Sequence, residues 1–178
     1  MPQFLLLRQD SARPSEQSME SVGPINLALE SGLQFRVEYD LPGVPAVTTD
    51  AMPPLGLGHG PDSERLLMAS VATCLSASLA FALRKYRNPE TPMRTSAQAW
   101  LAPNEQGRLR MHSMVVDIHL GVAADSLRFL DRALAQYQDF CTVTASIRRA
   151  FPIHVRVFDS DAVLLSGNEQ SASQTSSP

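Results

Sequence analysis

The chain has 178 residues, 44% hydrophobic and 19% charged, which suits one globular domain able to bury a core without disulfide staples. A formal net charge of -3 argues against nucleic acid or an anionic membrane as partner, since either calls for a basic patch. The short basic clusters, Arg84, Lys85, Arg87 and Arg148, Arg149, read as solvated helix ends.

In chain order, residues 1–22 form an N-terminal arm, apolar from Phe4 to Leu7 and then polar. The apolar part is too short for a signal-peptide core, and Arg8 and Asp10 follow it at once, so a cytoplasmic protein is expected. Residues 23–163 read as the folded domain. Ile25, Leu27 and Leu29 alternate with polar or small residues. After Ser31-Gly32, so do Leu33, Phe35, Val37 and Tyr39, which predicts an antiparallel hairpin. Leu41 to Gly60 is rich in Pro and Gly and predicts a loop with at most one short strand. His59, between Gly58 and Gly60, stands ready to line a pocket mouth.

A long helix starts after Asp62, a good N-cap, with Glu64 in its first turn, and runs to about Arg87 before Asn88-Pro89 stops it. Its segment Leu66 to Leu83 is uncharged and reaches the lower limit for a membrane span. Ser70, Thr73, Ser76 and Ser78 within it suit a tightly packed buried helix better, so no membrane is expected. Strands follow at Arg94 to Ala102 and Arg108 to Leu120, the latter with Val116, Ile118 and Leu120 on one face. Ala124 to Tyr137 has the 3–4 spacing of an amphipathic helix, a short helix runs from Cys141 to about Ala150, and Pro152 to Phe158 is a last strand. Residues 164–178 have almost nothing to bury and read as a disordered tail. Grouped strands separated by helices indicate an α+β fold with antiparallel sheets.

Two cysteines carry what chemistry there is. A cytosolic compartment disfavours a structural disulfide, and there is no CxxC motif and no histidine set with metal spacing, so neither metal nor cofactor is expected. That leaves inert buried thiols or redox chemistry. Cys74 lies mid-helix, gains nothing from the helix dipole, and needs a cation or donor from elsewhere to be reactive. Cys141 lies where the chain turns into a helix, and free N–H groups there favour a thiolate.

The segment Gly60-Pro61-Asp62-Ser63-Glu64-Arg65-Leu66-Leu67-Met68-Ala69-Ser70-Val71-Ala72-Thr73-Cys74 resembles the opening of the central helix in OsmC/Ohr proteins. There a Gly-Pro-Asn-Pro-Glu-x-Leu-Leu pattern leads through small residues to Ala-Cys. Asp139-Phe140-Cys141-Thr142-Val143-Thr144-Ala145-Ser146-Ile147 is similar to that family's second cysteine segment, often Cys-Pro-Val-Ser-x-x-Leu, and the separation of the two cysteines agrees to within a few positions. The resemblance implies an intertwined homodimer with a long buried central helix and an exchanged N-terminal arm. It implies a peroxidase for organic hydroperoxides in antioxidant defence. Cys74 would be the peroxidatic thiol and Cys141 the resolving one, with the disulfide reduced by a lipoyl- or thioredoxin-type dithiol. It also implies an acidic residue, Glu64, holding an active-site arginine. Ten residues along a straight helix are about 15 Å and roughly 280° of rotation, so Glu64 cannot meet the Cys74 of its own helix. It would act across an interface or a bend. Ser63 and Thr142 stand where the family has proline. No arginine or lysine occurs between Arg36 and Arg65, so Arg36 is the nearest candidate for the arginine. Arg8 and Arg13 are further ones. The alternative is a non-catalytic dimer of the same fold that binds a small apolar ligand at its interface.

Overall fold

Alternation of side chains on either side of a glycine turn produces the first element. β1 (Asn26–Ser31) and β2 (Gln34–Glu38) pair antiparallel, with Leu27 opposite Val37 and Leu29 opposite Phe35. Gly32 makes the turn at a φ of 54°, a conformation that side chains with a Cβ resist. β3 (Val47–Thr49), the one short strand of the Pro- and Gly-rich stretch, pairs antiparallel with β2 to give the order β1-β2-β3.

The loop after β3 is organised by Asp50, which is buried. Its Oδ2 accepts from the backbone N–H groups of Leu57 (3.0 Å) and His59 (3.2 Å). Burial pushes the Asp50 carboxyl up, but the amides of His59, Leu57 and Ala51 outweigh it and hold the group below its ordinary value. Gly60 lies against the Thr48 carbonyl, where any Cβ would collide with backbone.

The structure, a computed structural model, describes residues 20–167. These fall into two compact units that divide between Gly60 and Pro61. The domain expected over 23–163 spans both. Most of the expected N-terminal arm, residues 1–19, lies outside the described residues, as does the tail from residue 168.

The second unit is built on α1 (Ser63–Lys85). Asp62 caps it as expected, its Oδ1 accepting from the Arg65 N–H at 2.8 Å. Arg84 and Lys85 occupy the last turn, at the negative end of the dipole. Val71, Leu75, Leu79 and Leu83 recur every four residues as one fully buried stripe. Facing them is a sheet of order β4-β5-β6-β7: β4 (Met93–Pro103), β5 (Leu109–Leu120), β6 (Ile153–Phe158) and β7 (Leu164–Ser166). Met114, Val116, Ile118 and Leu120 of β5 and Val155 and Val157 of β6 supply the core side of this sheet.

Several expectations need correction. The sheet is not wholly antiparallel: β5 and β6 run parallel, with Asp117 beside Arg156 in register. The connection between them carries two helices, α2 (Leu130–Gln136) and α3 (Thr142–Ile147), and so is long enough for a parallel return. The segment expected to be a disordered tail begins with the strand β7, because Leu164 and Ser166 find ladder partners in Phe158 and Val157. The long helix is buried along one side only: Ala69, Thr73, Ala77 and Phe81 are exposed. α1 is long and apolar enough to cross a membrane by composition alone, and its buried stripe is the core of this unit.

The helix expected over Ala124 to Tyr137 is broken. A 3-10 turn (Ala124–Ser126) comes first, then Phe129 at a φ of 52°, then α2, then a second 3-10 turn (Tyr137–Phe140). The cause is distant in sequence. Buried Asn88 accepts from the Arg128 N–H at 2.7 Å and donates to the Arg128 and Leu83 carbonyls at 3.0 Å each. Those bonds satisfy the backbone where a continuous helix would have done so.

Candidate active site

The turn Tyr137–Phe140 and the start of α3 pack against the middle of α1. Cys141 enters this contact as the residue just before α3, with extended backbone (φ -84°, ψ 92°). Its carbonyl accepts from the Ala145 N–H at 3.0 Å, so the first turn of α3 winds directly from it. Its side chain is 0% exposed. Cys74 is half-buried at the middle of α1 and packs against the same core cluster. Both cysteines are free thiols, and Cys74 is close enough to Cys141 to perturb its ionisation. Two residues far apart in the chain are thus brought together by one helix–helix contact.

The surroundings of the pair are apolar and hydroxylic. The Cys141 Sγ donates to the Thr144 Oγ1 at 2.9 Å, and Thr144 is also fully buried. Tyr137 is buried beside them and accepts from the Gln138 Nε2 at 3.3 Å. Phe140 packs edge-on against Phe81 of α1, with ring centroids 5.8 Å apart, and Lys85 Nζ lies 5.7 Å from the Phe140 centroid. The exposed parts of these two rings border the contact (Phe81 58%, Phe140 46%).

Burial decides the electrostatics. It pushes the Cys141 thiol above its ordinary value, and the adjacent Cys74 adds to the rise. The hydroxyl and the backbone N–H of Thr144 oppose it without reversing it. The sequence-based expectation that free N–H groups would favour a Cys141 thiolate is therefore corrected: they are there, but desolvation outweighs them. Tyr137 is likewise held above its ordinary value, by burial first and then by Cys141, with Gln138 opposing.

The other expected site residues belong to the first turn of α1 and to the N-terminal unit. Glu64 is an exposed residue in the first turn of α1. Arg36 belongs to the N-terminal unit, on β2, where its Nε donates to the Glu38 Oε1 at 2.9 Å on the exposed face. His59, also in that unit, is exposed, with Nδ1 3.2 Å from the Gln34 Oε1. Within the second unit, no lysine or arginine among the described residues hydrogen-bonds the Cys74 thiol.

The sequence reading missed Thr144 as a partner of Cys141, although a three-residue spacing into a helix was the signal for it. It also missed a cavity of about 490 Å³ on the other side of α1. Ala69, Thr73, Ser76 and Ala77 of α1, Met93 of β4 and Glu90 line it, and its size is that of a small-molecule site. Ser76 and Thr95 hydroxyls, 2.7 Å apart, lie along it.

These features have counterparts in known proteins. The family model for OsmC-like proteins matches residues 56–156, which include both cysteines. No curated protein matches in sequence. Among solved structures, the organic hydroperoxide resistance protein OsmC of Legionella pneumophila superposes with a TM-score of 0.60 at 14% identity, over 78% of this chain and 98% of that one. OhrB of Bacillus subtilis, an organic hydroperoxide resistance protein, gives 0.57 at 15% identity over 77% and 99%. An OsmC-like protein of Mycoplasma pneumoniae gives 0.64 at 14% over 79% and 99%. Identities this low establish a shared fold and nothing finer. The sequence match covers more than half of the chain and spans the helix that bears Cys74 and the turn that bears Cys141, so the chain belongs to the OsmC-like family.

Proposed function

We propose that this protein is a thiol-dependent peroxidase that reduces organic hydroperoxides by a two-cysteine mechanism in antioxidant defence. The observation that carries the reading is the meeting of Cys74 and Cys141, far apart in sequence, as neighbours in a helix–helix contact. Cys74 is the more accessible of the two, which suits the thiol that meets substrate. Its thiolate attacks the distal peroxide oxygen, the O–O bond breaks, and the alkoxide takes a proton to leave as alcohol. Cys74 is then a sulfenic acid. Cys141 attacks that sulfur, the S–O bond breaks, and the thiol proton leaves with the hydroxide as water. A dithiol of lipoyl or thioredoxin type reduces the disulfide and is oxidised to its own disulfide.

The active form in this reading is a homodimer in the cytoplasm. Support comes from each unit taken by itself. The N-terminal unit leaves Leu27 and Leu29 of β1 57% and 60% exposed, and a three-stranded sheet needs its apolar face covered. The second unit leaves the small-residue side of α1 uncovered. The cation that Cys74 lacks within its own unit then comes from elsewhere in the dimer. Arg36, held by Glu64 once freed from Glu38, is our assignment. The hydroperoxide resistance proteins of the same fold support organic over inorganic peroxide as substrate.

A second reading, a non-catalytic dimer that binds a small apolar ligand, is favoured by the cavity of about 490 Å³ along α1. Rapid mixing with an organic hydroperoxide separates the two. The enzyme consumes one equivalent per chain and yields a Cys74–Cys141 disulfide by mass spectrometry. Cys74→Ser abolishes consumption, and Cys141→Ser stops at a sulfenic acid on Cys74. Oxidation no faster than that of a free thiol leaves the second reading standing.

A further inference from the structure

The resolving step, as proposed above, has a physical difficulty. Cys141 must deliver a sulfur nucleophile, yet it is fully buried and its thiol is held neutral by desolvation. The only polar side chain bonded to its sulfur within the described residues, apart from Cys74, is the Thr144 hydroxyl at 2.9 Å. Thr144 is itself 0% exposed and lies one turn along α3. A valine would fill the same volume. A hydroxyl at such a position costs free energy unless it is bonded, and the thiol is the bond it makes.

We infer that Thr144 is a positioning residue for the two-cysteine reaction, orienting the Cys141 sulfur toward Cys74 and stabilising the negative charge that appears on it as its proton leaves. The inference rests on the two-cysteine reading of this site. In the resting state the thiol donates to the Thr144 Oγ1, which directs its hydrogen along α3 and frees the sulfur lone pairs for Cys74. During attack the thiol hydrogen turns from Thr144 to the sulfenic oxygen on Cys74, so that as the S–S bond forms and the S–O bond breaks it leaves with the hydroxide as water. At that point the Thr144 hydroxyl reverses its role and donates to the sulfur, as a hydroxyl can. The Thr144 backbone N–H acts in the same direction. Among the described residues, the other titratable groups that act on Cys141 are Cys74 from α1 and Tyr137 from the preceding turn, and neither carries a positive charge.

The test compares Thr144→Val with Thr144→Ser in single-turnover reactions with an organic hydroperoxide. Thr144→Val leaves sulfenic acid formation on Cys74 at the native rate and slows disulfide formation about ten- to a hundredfold. The pH profile of that second step moves to higher pH, and Thr144→Ser restores both. A Val variant that closes the disulfide at the native rate, or a Ser variant as slow as Val, overturns the inference. A parallel titration uses the ultraviolet absorbance of the Cys141 thiolate in a Cys74→Ser background, with no peroxide present. There Thr144→Val moves the ionisation to higher pH and Thr144→Ser does not; no movement overturns the inference. Failure of the native protein to consume hydroperoxide sinks the proposed function, whereas the titration judges Thr144 in either case.

Discussion

Cys141 has a free N–H group, a hydroxyl and a second thiol around it, and still its proton is held more tightly than in the unfolded chain. The sign of the consequence follows. A thiol whose folded pKa is raised is neutral at physiological pH. Its contribution to stability is present below the unfolded thiol value of about 8.5 and is lost as pH rises beyond it. In a Cys74→Ser background, alkylation of Cys141 by iodoacetamide is expected to be slower than that of a free thiol. Its rate should still be climbing at and beyond that pH. A rate that levels off below it would show an activated thiolate and reverse the assignment of burial as the dominant effect. At this scale the sequence showed the two thiols that the structure brings together. It did not show the balance of forces on either. Burial and hydrogen-bond partners are set by whichever elements pack against a residue, and a local motif holds only one of the contributors.

At the scale of elements, the hydrophobic period was a reliable guide wherever an element's partners are its own neighbours or one sheet face. The hairpin β1–β2, the capped start of α1 and the buried face of β5 all follow from spacing alone. The period misled over Ala124 to Tyr137, where apolar spacing suggests one helix. There Asn88 holds the Arg128 N–H and carbonyl, and the next residue, Phe129, has a φ of 52° that a helix cannot include. Asn88 is buried and makes three backbone hydrogen bonds across two elements. Asn88→Ala is expected to cost about 2–3 kcal/mol, since it takes the side-chain partner from the Arg128 N–H and carbonyl, while the Leu83 carbonyl keeps the Tyr86 and residue-88 N–H groups. Urea unfolding should show a lower midpoint with an unchanged slope. A midpoint equal to the native one would mean that water or a neighbouring group satisfies those atoms instead.

The molecule as a whole carries exposed apolar surface in both of its units, on β1 and along the small-residue side of α1. If a second copy covers the latter, a charge placed there should dissociate it. Ala77 is exposed and lines the cavity along α1. Sedimentation of Ala77→Glu is expected to give the mass of one chain where the native protein gives two, with a lower melting temperature. A dimer that survives the substitution would move the interface away from this face.

The sequence by itself determined the family, the hairpin, the two thiols and the helix on which Cys74 rides, because caps, turn residues and hydrophobic periods are local properties of the chain. Only the tertiary structure decided that β5 and β6 run parallel, that Asn88 breaks a helix forty residues away, that Cys141 is neutral, and that Thr144 is its partner. Each of those depends on free energy exchanged between groups that the chain separates. Desolvation and long-range hydrogen bonds have no signature in the spacing of neighbours.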